Sequence, residues 1–230
     1  MTQPTTAVFA ALALMTHAQP PAAVVKEPAI PESLAAKGTT YHTITGKQAQ
    51  VTFTSDAPLQ DIVGKSNAVV GWAVAGPAEA PASLAGGRWL LPVASLATGI
   101  PLRDEHLAGD HWLDAAKHPC IEFNLEKVEA IEPVKSGSDF ATWSCTLVGT
   151  MSMHGTSRPM RVEKAKVSTL KASERTASIA PGDLMFIQCT YEVRLSEFGI
   201  TNGDVPDKVA DTIKLEQMLR LSTIPQKAEP

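Results

Sequence analysis

The feature that most constrains this chain is an alternation of apolar and polar residues with a period of two. It is clearest in two late segments, residues 187–195 and 213–221, where the apolar positions fall mainly on one side. Successive side chains of a β-strand point to opposite faces of a sheet, so this period predicts strands with one buried face. The chain must therefore bury one face of a sheet.

The same alternation occurs in six earlier segments, which brings the prediction to about eight half-buried strands. These segments lie near residues 51–53, 70–74, 89–93, 121–125, 143–147 and 157–170. With 44% hydrophobic residues in 230, the chain can bury a sizeable core. Eight antiparallel strands with one apolar face can form a sandwich or close into a barrel, and the alternation does not choose between them.

Residues 98–119 lie between the third and fourth predicted strands and concentrate the functional groups of the chain. They hold one Arg, one Glu, three Asp and three His. A Pro at the first helical position and an acidic first turn predict two short helical turns, over 101–108 and 111–117. The apolar side chains of this insert must be buried against something, and if the sheet closes into a barrel the nearest apolar surface is the open end of its lumen. In a barrel we therefore expect them to close one rim, with Trp112 as the main plug and with three leucines beside it: Leu102, Leu107 and Leu113.

Three motifs, in this order, resemble the signatures of the YceI-like family of polyisoprenoid-binding periplasmic proteins. The first comprises residues 96–99 (LATG), 103–107 (RDEHL), 110–114 (DHWLD) and 118–123 (HPCIEF). The second is 148–160 (VGTMSMHGTSRPM), and the third is 194–200 (RLSEFGI). The resemblance implies a bacterial lipocalin-like fold: an all-β, eight-stranded antiparallel barrel with a short helical insert between strands 3 and 4.

The resemblance also implies that the barrel lumen holds an isoprenoid chain or another amphiphile, such as a polyprenol or an isoprenoid quinone. No other cofactor is expected. The inward positions of the predicted strands, with Trp112 of the insert, are the candidate ligand-binding residues: Val51, Phe53, Val70, Trp72, Trp89, Leu91, Trp112, Phe123, Trp143, Leu147, Ile187, Tyr191, Val193 and Leu215. The bulky members could instead fill an eight-stranded lumen, so a non-binding structural or stress-response barrel stays open as the alternative.

The charged groups of the insert are expected to hold its shape. Arg103 and Asp104 should pair or cap backbone groups at the rim, and His106 and Asp114 complete the predicted structural cap. A metal site is not expected, because no His-x-x-x-His spacing places two ligands on one helical face. Similarly, His154 before Gly155 is expected to be a turn residue.

The beginning of the chain is typical of a secretory signal. The first 25 residues hold no charged side chain, and residues 7–15 form an apolar run that is too short to span a bilayer. The predicted organisation is a signal peptide over 1–18, a Pro/Ala-rich linker over 19–39, the barrel over 40–223 and a tail over 224–230. The signal predicts a periplasmic or secreted protein.

Several classes of function are disfavoured. A net charge of −4 provides no basic footprint for nucleic acid. The chain has no Gly-x-Ser-x-Gly elbow, phosphate loop or dinucleotide fingerprint, so an enzyme is not expected. The expected partner is a lipid, with no integral membrane segment, and the protein is expected to be a monomer or homodimer. The alternation directs Cys145 and Cys189 inward and Cys120 outward, and we expect all three thiols to be free.

Overall fold

The computed structural model describes residues 25–46, 48–77 and 80–226. The predicted signal peptide, the first residues of the predicted linker and the last four residues of the chain lie outside the described residues. The described residues form ten β-strands in one antiparallel sheet. In chain order these are β1 Thr40–Thr43, β2 Val51–Ala57, β3 Gln60–Ser66, β4 Val70–Val74, β5 Gly86–Pro92, β6 Cys120–Ser136, β7 Phe140–Met153, β8 Thr156–Leu170, β9 Leu184–Arg194 and β10 Thr212–Ser222.

The sheet closes on itself as an eight-stranded barrel, as expected. Both β1 and β2 pair with β10, β1 at Thr43↔Leu221 and β2 at Val51↔Gln217, so together they act as one interrupted strand. Similarly, β4 pairs with β1 and β3 pairs with β2, which makes β3 and β4 a second interrupted strand. Six continuous strands, β5 to β10, complete the wall. Closure protects most strand edges and leaves a lumen lined by the inward side chains.

Helices are few and short. They are α1 Glu32–Ala35, α2 Pro101–Ala108 and α3 Glu174–Ala177, together with three 3-10 turns at Pro81–Ser83, Val93–Ser95 and Leu195–Phe198. The helix α2 lies between β5 and β6, which are the third and fourth strands of the barrel once the interrupted strands are merged. No helix in the described part of the chain is long and apolar enough to cross a membrane.

The insert differs from the prediction in its second half. The first predicted helical turn is α2, whose bounds match the expectation, but residues 110–117 form a series of hydrogen-bonded turns without an α-helix. The reason is Asp114, whose φ of 45° lies in the left-handed region and interrupts any helical path. Its carbonyl still accepts hydrogen bonds from the amides of Lys117 and His118, at 3.0 and 2.7 Å.

The described part of the predicted linker packs against the outside of the barrel. The Pro28 carbonyl accepts a hydrogen bond from Nε1 of Trp72 at 3.0 Å, and Glu27 contacts Nδ1 of His42 at 2.9 Å. The α1 residue Leu34 lies over Gly86, at the start of β5. This segment covers an apolar stretch of the outer face of β4 that would otherwise be exposed to solvent.

Candidate functional site

A cavity of about 410 Å³ occupies one end of the barrel, which we call the capped end. Its body is mostly aliphatic, while the charged side chains that line it come from two segments outside the strands. One is the insert, residues 98–119, and the other is the loop 199–211. Strand residues lining the cavity include Val51, Phe53, Ile62, Leu91, Ile121, Met153, Val193, Ile213 and Leu215. Such a cavity lies within the size range of small-molecule sites, which are mostly apolar with a few polar groups.

Six of the predicted ligand-binding residues line this cavity: Val51, Phe53, Leu91, Trp112, Val193 and Leu215. Five others surround a second, much smaller space of about 20 Å³ deeper in the barrel: Trp89, Phe123, Leu147, Ile187 and Tyr191. The predicted wall is therefore split between two levels of the lumen. The upper level is open, and the lower level is nearly filled by side chains.

Three predicted wall residues lie elsewhere. Trp143 packs against the core on the inward face of β7 but lines neither cavity. Val70 and Trp72 are corrections, because both lie on the outer face of β4. Trp72 pairs with Arg88, whose guanidinium forms an ion pair with Glu122 on that outer face. The apolar residues at 70, 72 and 74 do share one face, but that face looks outward, and the N-terminal segment contacts it at Trp72.

Asp104 fixes the start of the insert, as its predicted capping role requires. Its Oδ1 accepts hydrogen bonds from the backbone amide of Thr98 at 2.7 Å and from the Thr98 hydroxyl at 2.6 Å. Thr98 follows directly after Ala97, which pairs with Lys65 of β3 through two backbone hydrogen bonds. The carboxylate thereby ties α2 to the rim of the barrel.

The other predicted cap residues have different positions. Asp114 is buried and accepts a hydrogen bond from Nζ of Lys117 at 2.8 Å, which lowers the pKa of its carboxyl group. Arg103 and His106 line the cavity instead. Arg103 has no hydrogen-bond or ion-pair partner among the residues that the structure describes, so its pairing at the rim stays a prediction.

The apolar residues of the insert have different roles from those that the sequence predicts. Leu113 is 6% exposed and belongs to the core, whereas Trp112 is only half-buried and Leu102 is 61% exposed. Leu113 anchors the insert, and its amide also donates to the carbonyl of Leu107 at 3.2 Å. Trp112 is a wall of the cavity and not a fully buried plug.

The loop 199–211 is a second cover that the sequence analysis did not identify. Asp204, Lys208 and Val209 line the cavity, and Nζ of Lys208 contacts Oδ1 of Asp204 at 2.8 Å. Asn202 joins the two covers, because its Nδ2 donates to the carbonyl of His111 at 3.2 Å. The available signal was length: a connection of this size between two strands is uncommon unless it has a function.

The three motifs meet near the capped end. The His118 and His154 rings lie edge to face with centroids 5.5 Å apart, and Nδ1 of His154 is 3.3 Å from the Phe198 carbonyl. Nε of Arg158 donates to the carbonyl of Glu197 at 2.9 Å. His154 has φ 50° in the tight turn between β7 and β8, which confirms its prediction as a turn residue. Within the described ranges, no group of three or more His, Cys, Asp or Glu residues could hold a metal ion.

The three cysteines are free thiols. Cys145 lies on β7 and Cys189 on β9, with β8 between them, so their strands are not neighbours. Burial raises the pKa of Cys145 to about 11 and that of Cys189 to about 12. Burial also raises the pKa of Tyr191, whose hydroxyl lies 3.4 Å from Oε1 of Gln217. All three groups therefore stay neutral at physiological pH, and the lower level of the lumen carries no charge from them.

Comparison with known proteins identifies the family. The model of the YceI-like domain matches residues 42–221, which include the whole barrel wall except its outermost residues. The chain belongs to the YceI-like family. In this YceI-like protein the matched region contains both covers and both levels of the lumen.

Solved structures share the fold at low sequence identity. BcnA of Burkholderia cenocepacia is 17% identical, with a TM-score of 0.53, over 81% of this chain and 97% of that chain. The YceI protein of Campylobacter jejuni is 18% identical, with a TM-score of 0.53, over 85% and 97% of the two chains. A polyisoprenoid binding domain from Saccharophagus degradans, implicated in plant cell wall breakdown, is 11% identical, with a TM-score of 0.56, over 81% and 99%. No curated protein matches this chain significantly.

Proposed function

We propose that this YceI-like protein binds or carries an isoprenoid or another amphiphilic lipid in the cavity at the capped end. The observation that carries the proposal is the cavity of about 410 Å³ with an aliphatic body and a mouth lined by Arg103, His106, Asp204 and Lys208. An apolar tail would occupy the body, and a polar head group would stay at the mouth. Burial contributes about 0.8 kcal/mol per methylene, so a tail of about 15 carbons contributes about 12 kcal/mol. If association costs about 4 kcal/mol, about 8 kcal/mol is left, which corresponds to micromolar binding.

The family supports the class of ligand. The chain is YceI-like, and one structural neighbour is described as a polyisoprenoid binding domain. Polyprenols and isoprenoid quinones are therefore the first compounds to test. Since Asp204 pairs with Lys208 at the mouth, binding of an uncharged prenol should depend little on salt.

A second candidate is a structural barrel that binds nothing. The lower level of the lumen favours it, because Trp89, Phe123 and Tyr191 leave a space of only about 20 Å³ there. The upper cavity favours lipid binding, and the two candidates differ in whether that cavity is occupied in the purified protein.

A binding protein fits this site better than an enzyme does. The polar groups at the mouth lack the nucleophile with an adjacent general base that hydrolysis needs.

We propose that the protein works in the periplasm or outside the cell. The proposal rests on the uncharged, apolar N-terminal stretch of the sequence. Fractionation of cells that express the full chain, followed by N-terminal sequencing of the mature protein, tests it. Full-length protein recovered only from the cytoplasm would overturn this part of the proposal.

Native mass spectrometry of the purified protein, followed by organic extraction, tests ligand binding. We expect an adduct that organic solvent releases, or uptake of added farnesol or ubiquinone by ligand-free protein. A protein that is recovered without ligand and takes up neither compound would support the structural barrel instead.

A further inference from the structure

The side chains that line the lumen change from aliphatic to aromatic at one level of the barrel. On three strands, neighbouring inward positions switch from an aliphatic residue in the cavity to an aromatic residue below it. The switches are Leu91 to Trp89 on β5, Ile121 to Phe123 on β6 and Val193 to Tyr191 on β9. Cross-strand pairing places the β5 and β6 residues level with each other, because Leu91 pairs with Ile121 and Trp89 with Phe123. We call Trp89, Phe123 and Tyr191 the aromatic layer.

Packing holds the aromatic layer in place. The Trp89 and Phe123 rings stack with centroids 6.2 Å apart and an interplanar angle of 21°. Two inward glycines make room for them: a side chain at Gly87 would clash with the Trp89 indole, and one at Gly149 would approach Cζ of Phe123 to 3.0 Å. The cavity that the three aromatic side chains line below the layer measures about 20 Å³. The layer therefore separates the cavity from the rest of the lumen.

The volume of the cavity limits the size of a ligand that can bind above the aromatic layer. A small molecule takes up about 30 Å³ per heavy atom if each atom needs the room of a water molecule in the liquid. A cavity of about 410 Å³ then accommodates on the order of 14 heavy atoms, or about three isoprene units. A tail of about 40 carbons would need about 1200 Å³ on the same scale, far more than this end of the barrel offers.

We propose that the aromatic layer is the floor of the ligand site and restricts the apolar tail to about three isoprene units. Trp89 and Phe123 are specificity-determining residues in this view, with Phe123 forming the floor below Ile121. The inference rests on the proposed lipid binding and adds a limit on chain length to it. A longer ligand could not keep its head group at the mouth and its whole tail above the floor, so it should bind less tightly than farnesol.

The test compares two prenols on the wild type and on a variant with a lowered floor. Phe123→Ala removes a ring from the layer and joins the two levels. The dissociation constants of farnesol and of the longer geranylgeraniol are measured for both proteins, so that the solubility of each prenol cancels in the ratio. We expect Phe123→Ala to tighten geranylgeraniol binding about tenfold relative to farnesol, since the extra isoprene unit becomes buried.

Trp143→Ala is the matched control, because Trp143 is an inward aromatic residue that lines neither cavity. It should leave the ratio of the two prenols unchanged. Val193→Phe places a ring above the aromatic layer and so raises the floor, which tests the same limit on chain length in the opposite direction. This variant tests the proposal if Phe123→Ala does not fold. It should weaken farnesol binding at least about tenfold and leave the shorter geraniol much less affected.

The outcomes separate this inference from the proposed function. If the wild type binds solanesol as tightly as farnesol, or if neither floor variant changes the preference for chain length, the aromatic layer is not the floor. Lipid binding would still stand in that case. If none of the prenols and quinones binds to any variant, the proposed function itself fails.

Discussion

Gln50 joins the two breaks in the barrel wall. It lies between β1 and β2 and is 1% exposed. Its Nε2 donates to the carbonyls of Ile44 at 3.2 Å and Val69 at 3.1 Å, and its Oε1 accepts from the amide of Val69 at 2.7 Å. Both interrupted strands thus depend on one buried amide, which satisfies backbone groups that have lost their ladder partners.

We predict that Gln50→Ala destabilises the protein by about 2–5 kcal/mol, because each buried backbone group left without a partner costs about 1–3 kcal/mol. Chemical denaturation monitored by circular dichroism measures this loss. Gln188→Ala, at an exposed position of β9, is the control and should change the free energy of unfolding by less than about 0.5 kcal/mol. Equal effects of the two substitutions would show that Gln50 does not hold the breaks.

The buried thiols predict a loss of stability in alkaline solution. A cysteine in the unfolded chain has its ordinary pKa near 9, whereas folding raises the pKa of Cys145 to about 11. The folded state therefore binds more protons than the unfolded state between these values. The stabilisation is complete below pH 9 and is lost as the pH rises towards 11.

This pH dependence can be assigned by comparing variants. The melting temperature of the wild type should fall over that range, and Cys145→Ala should show a shallower fall than the wild type. Cys120→Ala is the comparison variant and should change the fall less than Cys145→Ala does, because the Cys120 thiol is only partly buried and burial raises its pKa by a smaller amount. Parallel curves for the wild type and Cys145→Ala would contradict the prediction.

At the scale of elements, the insert combines an anchor and a wall. Leu113 is buried in the core, and Trp112 beside it is half-buried against the cavity. Neighbouring residues thus serve stability and ligand contact separately. The anchor is supported by Asp104 at the rim and by the contact of Asn202 with the carbonyl of His111.

We predict that Leu113→Ala costs about 2–5 kcal/mol of stability, as truncation of a buried leucine does. Trp112→Ala should cost clearly less stability but weaken the binding of farnesol, because it removes a wall of the cavity. Thermal melts and prenol titrations of both variants measure the two effects. A large loss of stability for Trp112→Ala, without a change in affinity, would make Trp112 a packed structural cap.

Local signals were enough to predict the position of most elements. Pro101 and the acidic residues after it predicted α2, and the period of two predicted every strand of the sheet except β1 and β3. The same period identifies residues that share a face but not which face looks inward. The period therefore predicts Val70 and Trp72 in the lumen, although both lie on the outer face and the N-terminal segment contacts Trp72 there. That contact joins residues far apart in the chain, so no local pattern contains it.

The candidate site was only partly predictable for a related reason. Alternation identified Leu91, Phe123 and Val193 as inward residues, but the depth of each in the lumen depends on the register between strands. The split into an open and a filled level therefore emerged only from the assembled barrel. The loop 199–211 has no periodic pattern at all, and its role as a cover depends on where the ends of β9 and β10 place it.

At the scale of the whole molecule, the barrel is asymmetric along its axis. The filled end has a continuous core of inward side chains, and the capped end has a cavity under two irregular covers. A packed core stabilises the fold through burial and close contacts, whereas the side chains around an apolar cavity lose some of these contacts. We therefore expect ligand binding to change the packing of the capped half more than that of the filled half.

The four tryptophans lie in four different surroundings, so their intrinsic fluorescence can report on four regions of the protein. Trp72 lies under the N-terminal segment, Trp89 in the aromatic layer, Trp112 at the cavity and Trp143 outside both cavities on the inward face. Variants that keep a single indole should resolve these regions by fluorescence. On addition of farnesol we expect the emission of Trp112 to change and that of Trp72 to stay constant. An equal response of both would mean that the ligand acts on the whole barrel and not on its capped end.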